Sequence, residues 1–269
     1  MIGVIALMAF AVGTHLGDCP GRNAADFGYK GPVSSVHVEI AYIVMENGEA
    51  KEIDRHLKEI RLYDERGRAT EDLGYDDDGT LAFRRVYERG PDGNLRETRV
   101  YRTDGTLWDR DVYSRDPITG ICFVDSPDGS GGKGVRVKGY RCNLDGTLAE
   151  EFSYRSNGSL IFRTRHGYDL GGRLIRSETY SPDVPNDQRL IGDHLVRWRI
   201  YNWDASGRLL RTRDYESSQH GLVRDATYTY KFDEMGNVVK TTESWLEKKD
   251  GKETYEPAMV FYNTFTYRR

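Results

Sequence analysis

YDDDGTLAFRRVYERGPDGNLRETRVYRTDGTLWDRDVY, residues 75–113, states one phrase three times: a Tyr, an Asp-Gly, a Leu, and six residues after the Leu another Tyr. The same Leu-to-Tyr step recurs along the chain, among others at Leu57/Tyr63, Leu95/Tyr101, Leu148/Tyr154, Leu195/Tyr201, Leu209/Tyr215 and Leu222/Tyr228. Its nine occurrences exceed by far what 19 Leu and 18 Tyr would give by chance, so the chain is a repeat protein. Side chains alternate with period two along a strand, so an even spacing of six predicts that Leu and Tyr share one face of a β-strand. A helix would set them about 240° apart.

Turns fill the intervals. In YDDDGTL, YRTDGTL and YRSNGSL the Gly supplies the left-handed conformation that closes a three-residue hairpin loop, which sets Tyr75 opposite Leu81, Tyr101 opposite Leu107 and Tyr154 opposite Leu160. YERGPDGNL, YRCNLDGTL and YNWDASGRL imply a longer, five-residue loop. The expected fold is all-β: an antiparallel meander of about sixteen short strands built from β-hairpin repeats, forming a single twisted or curled sheet from about Ser34 to the end. A transmembrane barrel needs a continuous apolar outward face, whereas the Leu/Tyr face carries Arg85, Glu97, Arg99, Asp109 and Asp111. The spanning barrel is excluded on that ground.

Tyr-Asp-x-x-Gly-Arg/Thr-Leu, as in YDERGRA, YDDDGTL and YDLGGRL, resembles the YD repeats of Rhs-type proteins over about residues 57–240. The resemblance implies a short variant of a spiralling, surface-exposed β-sheet module of bacteria, without a toxin domain. MORN-variant repeats share the weaker pattern Tyr-x-x-x-Gly-x-Leu.

Composition bounds the partners. A net charge of −4 predicts no bulk attraction to nucleic acid, so any anion site must be local. Residues 1–26 are read as an export signal and linker, and residues 27–269 as the YD-like repeat domain. The apolar run Ile2–Val12 is too short to span a bilayer and suits the core of a secretory signal. Cys19, after Leu16-Gly17-Asp18, is a candidate lipidation site, although Asp18 stands where the lipoprotein pattern has a small residue. Contact with a membrane is expected only through such an anchor. Cys122 and Cys142 flank the turn-rich stretch 125–134, and are either a disulfide of an exported protein or two thiols in a reducing compartment. The expected location is extracytoplasmic, in the envelope or secreted.

No catalytic signature is present. The six His are scattered without metal-ligand spacing, and no nucleophile elbow, P-loop or dinucleotide fingerprint occurs. Neither metal nor cofactor is expected, and the chain is read as non-enzymatic. If each Tyr faces the next Leu, Arg85 pairs with Glu97 and Arg99 with Asp109, whereas Arg199 meets Arg211, and Arg197 and Arg224 both meet Arg213. Arg197, Arg199, Arg211, Arg213 and Arg224 then crowd one face beside Tyr201, Tyr215 and Tyr228. Such a face suits bidentate recognition of an anion. Acidic residues of 181–193 (Asp183, Asp187, Asp193) or of the acid-rich C-terminal region folded over it, or plain solvation, would explain it without a ligand. The expected function is binding of an anionic envelope polymer or glycan, and the alternative a protein–protein scaffold or immunity-type partner of a toxin.

Overall fold

The computed structural model describes residues 27–126, 134–144, 147–182, 194–219, 221–249 and 251–268. Sixteen strands follow one another: β1 (Val33–Glu46), β2 (Glu49–Tyr63), β3 (Ala69–Tyr75), β4 (Leu81–Arg89), β5 (Leu95–Tyr101), β6 (Leu107–Arg115), β7 (Cys122–Ser126) and β8 (Val135–Cys142) form the first half. β9 (Leu148–Tyr154), β10 (Leu160–Tyr168), β11 (Leu174–Ser181), β12 (His194–Trp203), β13 (Leu209–Glu216), β14 (Gly221–Phe232), β15 (Val238–Lys249) and β16 (Lys252–Tyr267) form the second. Each pairs antiparallel with its sequence neighbours, as the meander predicts. The expected open or curled sheet is corrected in one respect: β1 pairs with β16, from Val33↔Tyr267 to Tyr42↔Met259, and the sheet closes into a barrel. Closure pairs the backbone groups that two open edges would leave exposed. The alternation in VHVEIAYI favours it, because Val36, Val38 and Ile40 bury against Phe265, Asn263 and Phe261 across the seam.

One turn serves both spacings. In 64–68, 76–80, 90–94, 102–106, 155–159, 169–173, 204–208 and 233–237 the first N–H donates to the fifth carbonyl, and the Gly N–H donates back to the first carbonyl. The Gly φ values lie between 73° and 86°, where a Cβ is costly. The predicted long loop is therefore the same turn on a strand two residues longer: Arg89, not Tyr87, closes against Leu95. The closing pairs Tyr75↔Leu81, Tyr101↔Leu107 and Tyr154↔Leu160 are as expected.

Beyond each closing pair the register slips by one. Tyr75 pairs with Leu81 but Gly74 pairs with Phe83, leaving Ala82 as an extra residue, a β-bulge. Arg96 is the extra residue at the next turn. Each bulge turns the rest of its strand over, so the Leu and Tyr six apart in one strand end on opposite faces. Arg85 consequently faces Val100 rather than Glu97, and Arg99 faces Arg110 while Asp109 faces Val100.

Two rims result, and their turns differ chemically. Turns that follow even-numbered strands make what we call the entry rim, because β1 starts there. Its turns 64–68, 169–173 and 204–208 place the first Asp carboxylate under the amides of the third and fifth residues, and the fifth residue, an Arg, adds a guanidinium contact. On the far rim, Asp78, Asp104 and Asn157 instead hold the N–H and hydroxyl of Thr80, Thr106 and Ser159, and the entry-rim turn 90–94 shares this pattern, Asp92 holding the N–H and side-chain amide of Asn94. Asp76, Asp77 and Asp78 are thus turn residues of the 76–80 hairpin.

Candidate functional site

Curvature crowds side chains on the inside of a barrel and splays them outside, which assigns the more buried face to the lumen. That face carries Val36, Val38, Ile40, Tyr63, Asp72, Tyr87, Thr98, Val100, Val124, Tyr201, Thr212, Asp214, Ala226 and Glu243, all buried. Tyr29, just ahead of β1, packs edge-on against Tyr63 and Phe265 of this face and accepts a hydrogen bond from Arg61 at 3.1 Å. Burial pushes the Tyr29 hydroxyl pKa up. A barrel of this strand number has a lumen wide enough for an aqueous channel unless side chains occupy it.

The inner wall has two characters. From β16 through β1 to β5 an apolar and aromatic cluster, Val33, Val36, Val38, Tyr63, Ala69, Tyr87 and Leu95, surrounds a small buried polar set in which Arg61 pairs with Glu59 and the Tyr87 hydroxyl donates to Asp72. From β10 to β15 it is polar. Thr164 and Thr179 hydroxyls meet at 3.0 Å, and His166 Nδ1 lies 3.0 Å from the Ser177 hydroxyl. Arg199 forks onto Asp214, with one arm at 2.7 Å. Thr212 and Tyr228 hydroxyls are 3.0 Å apart, Arg224 pairs with Glu243, and Trp245 Nε1 donates to Glu243 at 2.6 Å. His166 Nε2 and Arg224 Nε are buried without a hydrogen-bond partner among the described residues. Desolvation alone lowers the His166 pKa to about 4, so the ring is neutral at physiological pH.

The register slip corrects the predicted arginine cluster. Arg197 faces Glu216, Arg199 faces Asp214, Arg213 faces Asp225 and Ile200, and Arg224 faces Asp214, so no two of these arginines are directly opposed. Arg211 forks onto Asp225, with Nε at 2.7 Å, and Arg197 Nε reaches Glu216 at 3.0 Å. Burial pushes the Asp225 carboxyl up, but the Arg211 and Tyr255 hydrogen bonds more than offset it and hold the group below the usual carboxylate range. Arg213 Nη2 reaches only Asn202, at 3.3 Å. The candidates also divide between faces. Arg197, Arg199, Arg224, Tyr201 and Tyr228 line the lumen, whereas Arg211, Arg213 and Tyr215 look outward, Tyr215 stacking on Trp198 at 4.9 Å. Asp183, Asp187 and Asp193 lie outside the described residues.

The sequence reasoning missed Asp214, Asp225 and Glu243 as the partners, and His166, Ser177, Thr164 and Thr179 as the neighbouring polar wall. Strict alternation of polar types in FRTRHGY, RSETY and LRTRDY was the available signal, and shifting each register by one residue would have found them.

The cysteine expectation changes too. Cys122 pairs in register with Tyr140, and Cys142 lies two residues further along opposite Leu148, a diagonal too long for a direct bridge. Cys122 is disulfide-bonded, but the exposed Cys142 is not part of that bridge. Cys19 lies outside the described residues.

Outside the barrel the wall is charged at mid-height. Arg84 forks onto Glu71 at 2.8 and 3.0 Å, Arg110 meets Glu97 at 2.7 Å, Arg99 meets Glu88 at 2.6 Å, and Arg141 meets Glu150 at 2.9 Å. Charges at the level of a bilayer midplane cost about 2–4 kcal/mol each for Arg or Lys. Among the described residues, the outer wall carries these ion pairs at the height where a spanning barrel has its apolar belt.

No protein-family model matches the chain, and no curated protein does. Among solved structures, a porin-like protein from Bacteroides uniformis ATCC 8492 is similar with a TM-score of 0.50 at 13% identity, over 88% of this chain and 99% of that one. A porin-like protein from Bacteroides vulgatus ATCC 8482 aligns over 89% and 99% of the two chains at 11% identity, with a TM-score of 0.37. The likeness is one of fold alone.

Proposed function

We propose that the chain is an exported, non-enzymatic binding protein of the bacterial envelope, a ring of YD-like hairpins whose polar inner wall takes a glycan. One observation carries this reading: on β10–β15 the lumen presents hydroxyls, a neutral imidazole and aromatic rings among arginines already matched by carboxylates. A polyanion would have to displace Asp214 from Arg199 and Glu243 from Arg224. A polyhydroxylated ligand needs no such exchange, because its hydroxyls both donate and accept. His166 and Ser177 make a hydrogen-bonded pair, and desolvation keeps the ring neutral, so it offers a ligand hydroxyl an uncharged partner. Export is supported by the apolar run 2–12 and by the disulfide at Cys122.

The test is binding of the full chain to a panel of neutral and anionic glycans at low and high salt. Salt-insensitive binding of neutral glycans, weakened by Tyr228→Phe and Thr164→Val, is the expected result. Salt-sensitive binding confined to polyanions would return the anionic reading.

A second reading, an interaction scaffold with no small ligand, draws on β6. There Trp108 is 58% exposed, beside Leu107 and Val112. Self-association or partner capture lost in Trp108→Ala, with no glycan binding, would favour it.

A further inference from the structure

The two rims differ in what their turns present to solvent. Far-rim turns read DDDGT, RTDGT and RSNGS, polar at every tip. At the entry rim the tips include Ile118, Leu144 and Leu170, each more than nine-tenths exposed, with Met235 half exposed. Among the described residues these three are the most exposed large apolar side chains of the molecule. Turn chemistry does not ask for them. Asp169 already organises its turn through the amides of Gly171 and Arg173, and any residue fits the position that Leu170 fills.

The chain also enters the barrel at this rim. Lys30 N–H donates to Asn237 Oδ1 at 2.6 Å, and Asn237 Nδ2 returns a bond to the Lys30 carbonyl at 2.9 Å. Asn237 is fully buried and its Nδ2 also lies 2.6 Å from the Tyr267 hydroxyl, so the residues before β1 are tied to the last entry-rim turn. In the sequence, the apolar run Ile2–Val12 lies ahead of that tie.

We infer that the entry rim is a bilayer-facing surface: Ile118, Leu144 and Leu170 dip into the lipid headgroup and upper acyl region while the barrel stands above it. Separated apolar side chains on rigid turns, around a rim and not along a wall, are suited to shallow insertion, and their contribution scales with the apolar area buried. The charged outer wall stops deeper entry. The occupant is a lipid surface rather than a protein, because the three apolar tips sit on the separate, consecutive turns after β6, β8 and β10, each projecting from the rim, and among the described residues enclose no groove that a partner could fill. This reading is independent of the glycan proposal, which concerns the lumen.

The test uses the full chain with phosphatidylcholine vesicles and with vesicles that also contain phosphatidylglycerol. Changing Ile118→Asp, Leu144→Asp and Leu170→Asp together should weaken vesicle co-sedimentation by about tenfold or more, with an unchanged circular dichroism spectrum. Leu222→Asp, at the far rim, should leave it unchanged. Leu170→Trp should add a blue-shifted emission component on vesicles, and Ser156→Trp, on a far-rim turn, should not. If the triple variant binds vesicles as the parent does, or Leu170→Trp shows no shift while the protein is bound, the rim does not touch lipid and the inference falls.

Discussion

The two sides of the lumen are built from the same repeat yet are stabilised differently. Around β1–β5 and β16 the inner face packs Val36, Val38, Tyr63 and Tyr87 about a small buried polar set, Arg61 with Glu59 and Asp72 with Tyr87, and apolar area removed from water is the larger part of its stability. Around β10–β15 the inner face holds Arg199 with Asp214, Arg224 with Glu243, and paired hydroxyls, which contribute little net stability but fix the geometry of a polar surface. The repeat specifies turns and strands on both sides, and the residues between the turns decide whether a side becomes core or site.

That contrast can be broken from the polar side first. Asp214→Ala leaves the mostly buried Arg199 without its carboxylate and is expected to cost about 3–5 kcal/mol in denaturant melts, whereas Arg199→Met with Asp214→Leu should stay within about 1 kcal/mol of the parent. A double variant as unstable as the single one would show that the pair is itself a large stabiliser. His166 comes next. Its pKa is about 4 in the fold and about 6.5 unfolded, so the unfolded chain takes the proton first as pH falls. Stability should drop between about pH 6.5 and pH 4, by up to about 3 kcal/mol, and His166→Gln should remove that component. An identical acid slope in wild type and variant would place the sensitivity elsewhere.

On the apolar side, Val36→Ala, at a fully buried position, is expected to cost about 2 kcal/mol with no change in acid sensitivity. The smallest effect belongs to a shared feature. Asp169→Ala removes the acceptor for two turn amides and one guanidinium, and should lower the thermal midpoint less than any destabilising variant above. A loss as large as that of Asp214→Ala would mean that the turns, and not the walls, carry the fold.

Turn and strand placement was legible because both are local. Asp-Gly before Thr, or Asp three before Gly-Arg, states a turn within five residues, and the closing pairs Tyr75↔Leu81 and Tyr101↔Leu107 follow. Faces were not legible. The extra residue at each turn, such as Ala82 or Arg96, carries no distinctive signature, yet it inverts every side chain beyond it. Arg199 thereby moved from a predicted arginine neighbour to Asp214, and the anion cluster dissolved into ion pairs.

By itself, then, the sequence determined a hairpin repeat of about sixteen antiparallel strands and the Gly-closed turns that join them. The tertiary structure alone decided that the ring closes, because β1 and β16 meet across more than 200 residues and no local pattern encodes their pairing. It also decided which alternate residues look inward, because that depends on bulges and on the sense of curvature, which only the assembled sheet possesses.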